Sequence, residues 1–226
     1  MTGRTGTKEW ADSNVNCILG CPNRCRYCYA KAGALWRKRI DDENEWGTSY
    51  LRVNERIVKK GWRKAKGPIM FSSTHDITPE FLEPCMTVLR KLLKPGNRVL
   101  IVSKPHLECI KAICQELEPF KSQIVFRFTI GSTDNDTLAY WETRAPSFSE
   151  RIASLEYAYD AGFETSVSCE PLLGDGVALY EALSPLLTNS IWFGQMTNVR
   201  SYVSIETPED ERQVRLIEEA QTDERI

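Results

Sequence analysis

Cys21, Cys25 and Cys28 stand close together in the stretch NCILGCPNRCRYCYAKA, residues 16–32, with Cys17 just upstream. Thiolates packed this closely repel one another unless a metal or a bond neutralises them. Nothing marks the chain as secreted, so a disulfide framework has little support. A closed zinc site usually pairs two Cys-x-x-Cys or Cys/His hooks, and no second hook with ligand spacing occurs. Three thiolates on one loop suit an iron–sulfur cluster with one iron left open, where a substrate or cofactor can bind. A zinc knuckle is the competing reading.

Cys-x-x-x-Cys-x-aromatic-Cys, carried here by Cys21, Cys25, Tyr27 and Cys28, resembles the signature of the radical S-adenosylmethionine (radical SAM) superfamily. The resemblance implies a 4Fe-4S cluster held by those three cysteines. Its open iron would be chelated by the amino and carboxylate groups of S-adenosyl-L-methionine (SAM). It also implies an external one-electron reductant, flavodoxin- or ferredoxin-like, and a deoxyadenosyl radical that takes hydrogen from a substrate. Tyr27 would pack on the adenine, which the stretch from Gly194 to Asn198, including Met196, would border.

The chain has 226 residues, enough for one domain with a sizeable core. Its net charge of -2 does not suggest bulk affinity for nucleic acid. No apolar run reaches membrane-spanning length, so no membrane partner is expected. The first residues, MTGRTGTKEWADSN, lack the apolar core of a signal peptide, and a cytoplasmic location is expected. His75 and His106 are the only histidines, which leaves little room for a His-based metal site or a Ser-His-Asp triad.

Elements that could position the cysteine loop alternate along the chain. Residues 1–13 read as an arm with Trp10 as an anchor, and residues 15–19 as a first strand. Helical patterns follow at 29–40 and 50–66, separated by a polar loop. The second is rich in Lys59, Lys60, Arg63, Lys64 and Lys66, which suit either phosphate or a solvated face; 41–66 reads as an inserted loop and basic helix. Strands are expected at 69–73, 98–103, 123–130, 165–169 and 190–194. Helices are expected at 78–93, up to 117, at 147–161 and 177–187, and from about 207. Residues 131–136 read as a polar loop. Some six strand–helix units argue for an α/β fold with a parallel sheet covered by helices. No Gly-x-Gly-x-x-Gly follows the first strand, so a dinucleotide fold has no support. The resemblance implies a partial TIM barrel, the radical SAM core, over a single domain of residues 1–226. QTDERI ends inside an apparent helix and leaves open whether the natural chain continues.

In parallel barrels the site lies at the C-terminal strand ends, where the cysteine loop is expected. Alternation puts Ser166, Ser168 and Glu170 on one face of their strand. It turns Arg127 inward, where a buried guanidinium calls for an anion. A cofactor carboxylate or Glu170 would serve; an internal ion pair without ligand serves equally.

A further resemblance covers the fourth unit. Ser132, Thr133, Asp134, Glu142, Arg144, Ala145, Pro146, Arg151, Ile152 and Leu155 match the pattern of the spore photoproduct lyase-like branch. KEWAD and EPLLG resemble uncharacterised phage- and bacteria-borne radical SAM-like proteins. The resemblance implies Ser132 and Thr133 near the SAM ribose and Arg144 on its carboxylate. The alternative for Glu142 and Arg144 is a surface pair capping the next helix. The second strand departs from the family's Gly-Gly-Glu-like motif and carries Ser72, Ser73, Thr74, His75 and Asp76, whose oxygens can accept from an ammonium.

A weak S–H bond makes a thiol a good hydrogen donor to a substrate radical, and Cys169, at a strand end, is the candidate. Its other reading is a small buried hydrophobe, as for Cys17, Cys85, Cys109 and Cys114. The branch and the basic stretch lean toward a nucleic acid or nucleotide substrate, with a peptide or small metabolite open. The alternative of another class is a non-catalytic module, held by zinc or a structural cluster, that grips nucleic acid.

Overall fold

The structure is a computed structural model and describes residues 6–196 and 198–221. Residues 1–5 of the expected arm, Thr197 of the expected adenine border and residues 222–226 of the last stretch lie outside them. Six parallel strands form one sheet in the order β1 (Ser13–Val15), β4 (Ile69–Phe71), β5 (Val99–Ser103), β6 (Ile124–Thr129), β7 (Glu164–Cys169), β8 (Ile191–Phe193). A separate antiparallel pair, β2 (Ile18–Leu19) and β3 (Arg52–Val53), follows β1. The helices are α1 (Thr7–Trp10), α2 (Tyr29–Trp36), α3 (Glu55–Lys59), α4 (Leu82–Leu93), α5 (Leu107–Glu116), α6 (Asn135–Trp141), α7 (Phe148–Asp160), α8 (Gly176–Leu183), α9 (Val199–Tyr202) and α10 (Pro208–Ala220).

Two-residue alternation sorts the sheet into two environments. Phe71, Ile101, Phe126, Phe128 and Val167 face outward and are buried with Leu89 and Leu92 of α4, Ile110 and Ile113 of α5, and Leu155 of α7. Full burial of each such side chain contributes about 1.5–3 kcal/mol, so this layer holds the helices on the sheet. The other face turns inward and begins with an apolar floor of Met70, Leu100 and Val125 with Ala11. Above it the inward residues beside Val102 turn polar: Arg127 pairs with Ser166, and Thr129 with Ser168. The order leaves β1 and β8 as the sheet's two edges, so the barrel is partial. Trp10 meets Trp192 of β8 at 5.9 Å, and Asn14 of β1 donates to Thr7 of α1 at 3.2 Å, so α1 spans that opening.

Two expected elements differ, and one helix is new. The first strand is not continuous over 15–19. The Asn16 side chain accepts from the N–H groups of Ser73 and Thr74 at 2.7 and 3.1 Å, and the chain leaves the sheet there to form β2. The stretch 50–66 is not one helix but β3, the short α3, and a segment without helix or strand up to residue 66. Asn97 explains this. It accepts from Ala65 N–H at 2.6 Å and donates to the carbonyls of Arg63 and Leu92, bonds that tether the segment from outside. The basic residues therefore lie beside the N-terminal end of β5, away from the C-terminal strand ends. Finally, α6 is not among the expected elements; the Asp134 carboxylate caps it by accepting from Asp136 and Thr137 N–H at 3.2 and 3.0 Å.

Candidate functional site

The cysteine loop is shaped by backbone contacts and by a small apolar cluster of Cys21 with Ala34, Ile40 and Trp46. Gly20 has a φ of 82°, and a Cβ there would strike the Trp46 carbonyl oxygen, so the turn into the loop calls for glycine. Across the loop, Cys25 forms a bridge with Glu142, Arg26 N–H donates to the Trp141 carbonyl at 2.9 Å, and Arg144 N–H donates to the Asn23 carbonyl at 3.1 Å. The Cys28 sulfur accepts from Lys31 N–H at 3.4 Å and caps α2.

All three thiols line one cavity of about 470 Å³, a size suited to a cofactor-sized molecule. One wall is the cysteine loop with Tyr27. The facing wall is the run from Ser72 to Asp76 after β4, and the inner wall carries Lys104, Thr129, Ser168 and Glu170. Met196, Trp10 and Tyr29 are among the other lining residues. The cavity thus sits at the C-terminal strand ends, as parallel barrels place their sites.

A buried charge network braces this region. The Lys104 ammonium stands 3.9 Å from Asp76 and 3.8 Å from Glu142. Glu142 touches Arg151 at 2.5 Å, both side chains fully buried, and accepts from the Tyr27 hydroxyl. Arg151 also donates to the carbonyls of Pro146 and Thr129, at 2.8 and 3.2 Å. Burial works to neutralise Lys104, but Cys25, Tyr27, Asp76 and Glu142 more than offset it and hold the ammonium well above its usual range. Burial pushes Asp76 up, and Lys104 with Asn23 more than reverses this, so its carboxyl titrates below the usual range.

The thiols respond oppositely. Burial pushes Cys25 up to about 12, against the pull of Lys104. Burial, then Asp76 and Cys25, drive Cys21 well above the ordinary value, and burial raises Cys28. Three buried thiols beside carboxylates cannot all ionise without added positive charge. A cationic cluster would supply that charge, and three cysteines from one loop are a donor set that suits one. Among the described residues no three His, Cys, Asp or Glu side chains converge on one ion.

The Radical SAM superfamily model matches residues 15–179. The chain belongs to the radical SAM superfamily. An uncharacterised protein of Acidianus two-tailed virus is 27% identical over 179 residues, covering 75% of this chain and 58% of that protein. An uncharacterised protein of Methanocaldococcus jannaschii is 26% identical over 169 residues, covering 71% of this chain and 60% of that protein. The chain thus spans about three-fifths of the length of these relatives. A spore photoproduct lyase variant solved with dinucleoside spore photoproduct superposes with a TM-score of 0.54 at 17% identity, over 93% of this chain and 61% of that one. A second variant, with bound AdoMet and the same dinucleoside, matches with a TM-score of 0.54 at 16% identity and the same coverage. The fold is accordingly the partial TIM barrel of the radical SAM core.

Within this radical SAM barrel the expected residues separate. Cys21, Cys25, Cys28, Tyr27, Ser72, Ser73, Asp76, Ser168, Glu170 and Met196 meet at the cavity. Others do not line it. Arg127 does point inward, but it lies between Trp10 and Trp192 at 4.6 and 5.1 Å and donates to Ser166 and Ser190. Burial lowers it to about 10 against the opposing pull of Glu170. Ser132 is buried and accepts from Asp134 N–H at 3.0 Å, and half-buried Thr133 stands beside it. Arg144 is exposed, and it is not a surface partner of Glu142, which is buried. Gly194 matters by being small: a Cβ there would collide with the Glu170 side chain.

Cys169 is fully buried in the outward layer, where burial and then Glu170 push its thiol up to about 12. It lines the helix side of β7, not the cavity, because it sits one residue out of phase with Ser168 and Glu170. Cys17 is buried too, its sulfur 3.7 Å from Cys85, with its N–H donating to His75 Nε2 at 3.1 Å.

Sequence reasoning missed Lys104, Asn16 and Asn23 as site residues. The signal for Lys104 was its place directly after the apolar strand 98–103, at the C-terminal end where barrel sites lie. Asp210 was missed as well. It accepts from Arg26 of the cysteine loop at 2.8 Å, from Tyr140 at 2.6 Å and from Thr207 at 2.8 Å, tying α10 to the site. Tyr140, then Thr207, hold its carboxyl well below the ordinary value. A depressed carboxyl adds stability above its unfolded pKa of about 4 and loses it as pH falls through the folded value. Asp210→Asn is therefore expected to flatten the fall in melting temperature below about pH 4. An acid limb identical to that of the wild type in a thermal-shift series would contradict it.

Proposed function

We propose that the chain is a radical SAM enzyme in which Cys21, Cys25 and Cys28 hold a 4Fe-4S cluster and the adjoining cavity takes SAM. The observation that carries this reading is the meeting of three thiols from one loop, Tyr27, and the polar run from Ser72 to Asp76 around one cavity. When bound, the cluster supplies one electron, drawn from a flavodoxin- or ferredoxin-like reductant, for the cleavage of SAM to methionine and a deoxyadenosyl radical.

The chain's own residues do the rest. Tyr27 presents an aromatic ring to the adenine, and Met196 offers an apolar side to it. Ser72 and Ser73 offer oxygens toward the methionine amine. Asp76 is fully engaged by Asn23 at 2.9 Å and by Lys104 N–H at 2.7 Å, so it sets the field rather than grasping a ligand. Glu170 is raised by burial and accepts from Ser168 at 3.1 Å, which puts a carboxyl of adjustable charge on the inner wall. Arg127, Ser132, Thr133 and Arg144 act, on this reading, by supporting the walls. A nucleic acid or nucleotide is the substrate class we favour, supported by the dinucleoside bound in the spore photoproduct lyase structures. A reducing, cytoplasmic setting suits a cluster of this kind; no helix among the described residues is long and apolar enough to cross a membrane.

The test is anaerobic reconstitution with iron and sulfide, then incubation with SAM and dithionite. Deoxyadenosine formation supports the reading, and a colourless, zinc-loaded protein that never cleaves SAM overturns it in favour of a binding module. In the same assay Cys169→Ala is expected to leave deoxyadenosine yield within about two-fold of wild type, since its thiol packs among apolar side chains as a small hydrophobe. A loss of product formation with the cluster intact would restore the thiol as a hydrogen donor.

A further inference from the structure

Helix α2 starts at the third cysteine and carries two aromatic rings that no core covers. Tyr29 is 53% exposed and Trp36 is 80% exposed. Seven residues apart on a helix, they share one face and lie about 10 Å apart along its axis. Tyr29 lines the cavity, and its hydroxyl is tied to the Ser73 carbonyl. Trp36 stands at the outer end of the same stripe.

Arg37, Lys38 and Arg39 follow at once, all exposed. Lys38 takes a φ of 51°, which ends the helix there. The Arg37 guanidinium stands 5.4 Å over the Trp36 ring. Among the described residues no carboxylate of the acidic run that follows is ion-paired with these three cations. Asp42 accepts from Asn44 N–H at 2.7 Å, Glu45 accepts from the N–H groups of Asp41 and Asp42, and Glu43 pairs with Lys31 at 2.5 Å. Aromatic faces and cations thus stand together beside the cavity on a chain whose overall charge is -2.

We propose that this face of α2 is a docking track for single-stranded nucleic acid that leads into the cavity. Bases stack on Trp36 and Tyr29, and phosphates meet Arg37, Lys38 and Arg39. A spacing of about 10 Å admits roughly three nucleotides at 3.4 Å each. A duplex keeps its bases stacked on one another and offers no free ring face to Trp36, so an unpaired strand is the better occupant. The inference rests on the reading of the cavity as the active site of an enzyme acting on nucleic acid, and it names the surface that holds that substrate.

The experiment uses cluster-loaded protein and a fluorescein-labelled oligothymidylate, followed by anisotropy over a salt series, with substrate-free SAM cleavage measured in parallel. Trp36→Ala is expected to weaken binding roughly ten-fold, with Trp36→Phe recovering most of it. Arg37→Glu with Arg39→Glu is expected to weaken binding and reduce the salt dependence. SAM cleavage without substrate should stay at the wild-type level in all three variants, because none of these side chains lines the cavity. Wild-type affinity in Trp36→Ala, or no binding by the wild type at low salt, overturns the track. If the wild type binds the strand through Trp36 but never cleaves SAM, the track stands and the enzymatic reading falls.

Discussion

Glu142→Ala is expected to lower the unfolding free energy by about 3–5 kcal/mol, the usual cost of removing one partner of a fully buried ion pair. Both Glu142 and Arg151 are closed to solvent, and Lys104 and Tyr27 lean on the same carboxylate. Without it, the Arg151 guanidinium keeps two carbonyl partners but no counter-charge. For a chain of this length the loss corresponds to a fall in melting temperature of roughly 10 °C. Because the Glu142 carboxylate also accepts from the Tyr27 hydroxyl on the cysteine loop, iron incorporation should fall with it. Pairing the change with Arg151→Met removes the stranded charge, and that double variant is expected to recover part of the loss. A melting temperature within about 2 °C of wild type for Glu142→Ala would show that the network does not hold the loop.

Cys25→Ala is expected to abolish cluster binding and SAM cleavage together. Cys25 is the middle thiol of the loop and is nearly closed to solvent, at 7% exposure. Its neighbours cannot replace it. Cys17 and Cys85 are occupied with one another, and Cys169 faces the helices. After reconstitution the variant should lack the brown colour and the visible absorbance that bleaches on reduction, and deoxyadenosine should fall to background. A removed thiol that had been buried as a small hydrophobe costs little, so the melting temperature before reconstitution should drop by only a few degrees. Retained chromophore and product would remove Cys25 from the cluster and undo the proposed site.

Much of the site could be read along the chain because its determinants are local. Three thiols within one turn-rich loop must be neighbours whatever the rest of the fold does. Alternation turned Ser166, Ser168 and Glu170 to one face and Arg127 inward, as found. The same rule, applied one residue further, places Cys169 outward. That signal was present in the strand and agrees with the reading of Cys169 as a small buried hydrophobe. Arg127 was legible in direction but not in partner. Its neighbours Trp10 and Trp192 come from opposite edges of the sheet, and nothing along the chain joins them.

By itself the sequence determined the cysteine loop, with its resemblance to the radical SAM superfamily, and the alternating strand–helix order, since periodicity and spacing are properties of short segments. Only the tertiary structure decided that Glu142 is a buried anchor while Arg144 is exposed, that Lys104 sits among the thiols, and that residues 60–66 run without a helix beneath the sheet. The reason is common to all three. The buried charges of Glu142 and Lys104 rest on counter-charges, and the path of 60–66 is held by Asn97, so each depends on partners distant in the chain.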